Sequence, residues 1–106
     1  MASSGSILAH PASGGTAHAE RDTIRALLLE HRPDLDSRLL VGPSGALLIP
    51  LPTGRSIEIG RMRRRGRSRW VVVTPSADGA ALREPTTLGA VARTALGALR
   101  EVEAQR

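Results

Sequence analysis

Residues 55 to 69 hold seven arginines, Arg55, Arg61, Arg63, Arg64, Arg65, Arg67 and Arg69, against a single acid, Glu58. That is a local charge of +6 in a chain whose whole net charge is +5, so the remainder is close to electrically neutral. Guanidinium groups are planar, permanently charged forks that take phosphate and carboxylate oxygens in pairs. The chemistry open to such a cluster is anion binding, with a phosphate backbone or an acidic protein surface as partner. Trp70 closes the segment and is the only aromatic side chain of the chain. Readers of single strands stack successive bases on several aromatic platforms. With one Trp and no Phe or Tyr, nucleic acid as partner implies a duplex. It would be read through phosphates and shape, with low sequence specificity and steep salt dependence.

Other chemistry is harder to assemble from these residues. His10, His18 and His31 have no partner at metal-ligand spacing apart from Glu30 beside His31, so no metal site is expected. His31 reads as a helix-terminal residue favoured by the dipole rather than as a base. Gly42-Pro43-Ser44-Gly45 and Gly14-Gly15 lack the strand, Lys and helix of a phosphate loop and read as turn and linker. Asp34 and Asp36 follow a helix as solvated caps, and Ser44 is not in a nucleophile elbow. There is no cysteine, which removes disulfides, thiolate metal sites and a thiol nucleophile together. The expectation is a protein with no catalytic residue, no metal and no cofactor, that is, not an enzyme.

All 15 basic residues are Arg and none is Lys, a bias that GC-rich codon usage accounts for. Codon usage explains how many arginines there are but not where they fall. A solvated hairpin in an Arg-biased chain is the bland alternative to a binding arm, and position is what separates the two.

The elements that must carry the cluster follow from patterning over 106 residues, the length of one small domain. Residues 1–17 are rich in Ser, Thr, Ala and Gly with only Ile7 and Leu8 as large apolar side chains, and read as a flexible leader. Residues 18–106 form the domain. Ile24, Leu27, Leu28 and His31 recur at helical spacing over 19–32, and Pro33 stops that helix. Short aliphatic runs broken by Gly and Pro then give candidate strands at 38–41, 46–51, 55–63 and 67–74, a β-meander. Pro50 and Pro52 end the second run or set it at an edge. Residues 75–79 read as a loop. A second helix, capped by a Thr of Pro85-Thr86-Thr87, carries the stripe Leu88, Val91, Ala92, Ala95, Leu96, Leu99 and Val102. The fold class is α+β: an antiparallel sheet of three or four strands with an N-terminal and a C-terminal helix packed on one face. No run of about 20 apolar residues spans a bilayer, and residues 1 to 8 carry no secretory signal. A cytoplasmic location and no membrane partner are the expectation.

The hairpin 55–74 is the arm. A three-residue loop, Arg64-Arg65-Gly66, puts Arg63 opposite Arg67, Ile57 opposite Val73, Ile59 opposite Val71, Arg61 opposite Arg69 and Trp70 opposite Gly60. All four β-branched residues then share one face. A two- or four-residue loop instead pairs Arg61 with Trp70 in a cation–π contact and changes which valines face the helices. The spacing favours the three-residue loop. In either register the outer half of the hairpin, apart from Met62, has no apolar face to bury.

The α-β-β-β-α order over residues 20–104 is similar to that of the double-stranded RNA-binding domain. That family carries a basic cluster at the start of its second helix, where this chain has Glu84-Pro85-Thr86-Thr87 with only Arg83 and Arg93 nearby. The resemblance is therefore one of topology and does not carry the function over. Size and layout also resemble small accessory proteins of phages and plasmids, including inhibitors of host defence. The leading expectation is a non-enzymatic accessory module that binds nucleic acid through Arg55, Arg61, Arg63, Arg64, Arg65, Arg67 and Arg69, with Trp70 as a packing or stacking neighbour. The alternative is a protein-interaction module, an inhibitor or assembly subunit, that docks on an acidic surface or pairs by a sheet edge. A homodimer through the Ala-rich face of the second helix is a further option.

Overall fold

The computed structural model describes residues 14–105. The chain runs α1 (Gly14–His31), a 3-10 turn (Pro33–Ser37), β1 (Leu40–Val41), β2 (Leu47–Pro50), β3 (Ser56–Arg64), β4 (Arg67–Ser76), β5 (Gly79–Arg83) and α2 (Leu88–Ala104). The five strands form one antiparallel meander in the order β1-β2-β3-β4-β5. The architecture is α+β, and the sheet has one strand more than the patterning predicts. Residues 1–13 of the expected leader lie outside the described residues, and α1 already begins at Gly14.

Strand alternation sorts the sheet into two faces. The rung Leu47–Ile59–Val72 and the pair Ile49–Ile57 point to one side and are buried. Both helices cover that side. Ile24 and Leu28 from α1, and Val91, Ala92, Ala95 and Leu99 from α2, join those strand residues in one core, with Leu35 of the 3-10 turn beneath it. Ala92 and Ala95 thus seat α2 against the core. On the other face the rung Leu40–Leu48–Glu58–Val73–Leu82 crosses all five strands, with Leu40 and Leu82 exposed.

The element ends follow local chemistry. Helix α1 stops because Pro33 cannot continue it. His31 Nδ1 lies 3.2 Å from the Leu27 carbonyl, one turn back in the last turn of the helix. Thr87 caps α2, its hydroxyl accepting from the Ala90 amide at 3.0 Å. Strand β2 ends at Pro50.

Arg32 fastens the far ends of the two helices together. Its guanidinium donates to both Glu103 oxygens at 3.0 and 2.9 Å and to both Asp34 oxygens at 3.0 Å, and Arg38 adds a further bond to Asp34 at 3.0 Å. Arg32 holds the Asp34 carboxyl down to about 2 and the Glu103 carboxyl below its usual range. A carboxyl whose folded value is depressed contributes stability above its unfolded value and loses it as pH falls through the folded one. An Arg32→Met variant should therefore melt below the wild type at pH 6. The gap should close as pH falls from about 4 to about 2, measured by circular dichroism melts across that range.

Candidate functional site

The arm turns through two residues, not three. Strand register pairs Arg64 with Arg67, Arg63 with Ser68, Met62 with Arg69, Arg61 with Trp70, Gly60 with Val71 and Ile59 with Val72. Arg65 and Gly66 form the turn with φ of 53° and 78°. Two consecutive positive values mark the turn whose twist matches that of a tight hairpin, and Gly at the second place reaches it without strain. This corrects the three-residue loop expected from spacing. Its rungs would have turned Val71 and Val73 inward and Trp70 out.

The reason lies across the molecule in α1. Turned inward, the Trp70 indole is almost wholly buried, and its Nε1–H donates to Glu20 Oε1 at 2.8 Å. Arg61 donates to the same oxygen at 2.6 Å and sets its guanidinium 5.6 Å from the centre of the indole. The three side chains close one charged, half-buried cluster: acid, base and the indole donor are each satisfied. On the opposite face Val71 is also buried, against a bare strip of backbone at Gly60. A Cβ at position 60 would lie 3.2 Å from that of Ala46, a tight contact that Gly60 avoids where the residue before β2 comes close.

Beyond this cluster the hairpin leaves the sheet. Strand β2 ends its pairing opposite Ile59, and β5 ends opposite Val72. Among the described residues, the rungs from Gly60–Val71 to Arg64–Arg67 pair in strands only with each other, as a two-stranded ribbon. Arg63, Arg65, Arg67 and Arg69 are exposed on it, and among the described residues no carboxylate pairs with any of the four. Arg64 holds the last rung of the ribbon opposite Arg67. Arg55 lies apart from them at the foot of β3, where its guanidinium donates to the carbonyls of Ser76, at 3.3 Å, and Gly79.

The eight residues singled out by sequence therefore divide. Arg63, Arg64, Arg65, Arg67 and Arg69 share the ribbon, Arg61 and Trp70 form its root, and Arg55 clamps the β4–β5 turn. Glu20 was not among them. Its only signal in the sequence is an acid early in a helix, which the helix dipole already explains. A cleft of about 500 Å³ opens beside the root, between β4, α1 and the start of α2, and is lined in part by Trp70, Arg67, Arg69, Thr87 and Val91. Among the described residues no group of His, Asp or Glu could hold a metal ion, and no helix is long and apolar enough to cross a membrane. No protein-family model, no curated protein and no solved structure matches the chain.

Removing the shared acceptor tests the root. Glu20→Ala leaves the buried indole donor without a partner and should cost about 1–3 kcal/mol, read from urea unfolding. Glu20→Gln keeps an acceptor oxygen and should cost less. The emission of Trp70, the sole fluorophore of its kind, should shift to the red in the Ala variant.

Proposed function

We propose that this protein binds nucleic acid by laying its β-arm against the phosphate backbone of a duplex. The observation that carries the reading is the arm itself: Arg63, Arg65, Arg67 and Arg69 stand exposed, with no carboxylate partner among the described residues, on a ribbon that projects past both neighbouring strands. Each is a bidentate phosphate donor, and a two-stranded ribbon is narrow enough to enter a major groove about 12 Å wide. Five rungs at about 3.3 Å per residue give a strip that can cover several phosphates.

Trp70 supports the choice of duplex over single strand. Its ring is covered by the protein and its N–H is engaged, so no exposed aromatic platform is left to receive an unstacked base. The phosphate contacts are assigned to Arg63, Arg64, Arg65, Arg67 and Arg69, with Arg61 and Trp70 holding the ribbon at its angle. Binding is non-enzymatic, and sequence enters weakly because the contacts assigned are to phosphates, which position a protein on a duplex without carrying base information.

Fluorescence anisotropy with labelled duplex DNA and duplex RNA at a series of salt concentrations tests this. Affinity should fall linearly on logarithmic axes, and the double variant Arg63→Gln, Arg65→Gln should flatten the slope by about two. A slope unchanged by that variant removes the arm from the interface.

A further inference from the structure

The open edge of β4 carries more than charge. Strand β5 leaves β4 at the pair Val72–Arg83, and the chain then passes through Glu84, Pro85 and Thr86 to the Thr87 cap of α2. Residues 67–71 are thus paired to β3 on one side and to no strand on the other.

The two-residue turn fixes which backbone groups face that free side. A tight turn makes its flanking pair, Arg64–Arg67, a hydrogen-bonded one. Strict alternation then gives Met62–Arg69 and Gly60–Val71 the same character. Ser68 and Trp70 accordingly aim their N–H and C=O away from β3. The same parity turns Val72, Thr74 and Ser76 toward β5, as their pairing with Arg83, Ala81 and Gly79 requires. Ser68 and Trp70 are therefore two steps of an unfinished ladder, and no other backbone group bonds to them among the described residues.

The side chains along this edge specify what could complete it. Cross-strand partners share a face. A new strand would set the residues opposite Arg67 and Arg69 beside two unpaired guanidinium groups. The residues opposite Ser68 and Trp70 would turn toward the 500 Å³ cleft, where Trp70, Leu88 and Val91 supply apolar wall beside the mutually neutralised Glu20–Arg61 pair. Charge complementarity on one side and an apolar recess on the other describe a single kind of segment. We infer that the β4 edge captures an extended peptide of alternating acidic and apolar residues as a sixth strand, in line with β5. This goes beyond the duplex reading and does not depend on it. The edge uses the backbone of Ser68 and Trp70, and duplex binding does not need that backbone.

The probe is a fluorescein-labelled acetyl-Val-Glu-Val-Glu-Val-Glu amide, titrated with the full chain by fluorescence polarisation while Trp70 emission and the amide exchange of Ser68 and Trp70 are followed by NMR. Saturable binding with both amides newly protected supports the proposal. The same peptide N-methylated at its valines should bind at least about tenfold more weakly, since those residues carry the ladder bonds. Equal binding of the N-methylated peptide, or of polyglutamate without alternation, reduces the site to charge alone and overturns the proposal, as does no binding. Ser68→Pro deletes one outward N–H without touching the β3 ladder. It should abolish peptide binding and leave duplex affinity within about twofold. If that variant does not fold, the N-methylated probe still decides on the unaltered protein. The Arg63→Gln, Arg65→Gln variant should do the reverse, weakening duplex and sparing peptide, so the failure of either reading is visible apart from the other.

Discussion

One carboxylate oxygen sets the geometry of the arm of this protein. Glu20 Oε1 accepts from both Arg61 and the Trp70 indole, at 2.6 and 2.8 Å, on two strands that face each other across a rung. Side-chain direction in a hairpin has a period of two, so fixing one rung fixes all of them. With Trp70 inward, Val72 and Ile59 must enter the core, and Arg67 and Arg69 must stand on the far face. A slip of one residue would bury Val71 and Val73 beneath the helices and strand the indole in water. The indole covers more area than a valine, but it can be buried at little cost only where its N–H finds an acceptor. The half-buried setting of the pair, with Arg61 and Glu20 side chains 18% and 23% exposed, lets the charges reinforce that choice without the full penalty of a buried ion pair.

The same contact divides the positive charge. Arg61 is neutralised at the root, Arg25 is matched by Asp36, and Arg32 and Arg38 share Asp34 and Glu103 at the opposite end of the helices. These pairs tie the helical layer together and leave it nearly balanced. Among the described residues, Arg63, Arg65, Arg67 and Arg69 are not part of any such pair. Like charges on adjoining strands repel, which a ribbon in water tolerates and an anion laid across it relieves. The field of the molecule is consequently concentrated where the backbone projects furthest from its neighbours, and the root holds that projection at a fixed angle.

Much of this was legible in the residues. The 3.6-residue spacing of Ile24 and Leu28, the stripe from Val91 to Leu99 and the Thr before α2 mark both helices. The alternation Ile57, Ile59 and the run Val71-Val72-Val73 mark the central strands. What stayed hidden has physical causes. Strand β5 is Gly-Ala-Ala-Leu-Arg, a composition closer to helix or loop, and it holds its place as a short edge strand by pairing with β4 rather than by propensity. Loop length alone could not choose the register, because Glu20, forty-one positions from Arg61, supplies the deciding hydrogen bonds. The neutralisation of Arg61 by Glu20 and the tethering of Arg55 to the Ser76 and Gly79 carbonyls likewise rest on contacts distant in sequence.

The open strand edges raise the question of why such a ribbon does not pair with another copy of itself. Natural sheets protect edges with short strands, bulges or charge. Here β1 is reduced to two residues, whereas β4 keeps its free edge and is guarded by arginines. Two such edges brought together in antiparallel register would set Arg67 and Arg69 of one chain beside the same residues of the other, a repulsion that outweighs the few ladder bonds gained. The guard is selective by sign. It disfavours a like-charged strand and favours an acidic one, so protection from self-association and affinity for anions are one property of these side chains. A substitution that removed the charge to weaken anion binding would expose the edge at the same time. Charge at these positions therefore guards the edge, a reason for its placement that codon usage does not supply.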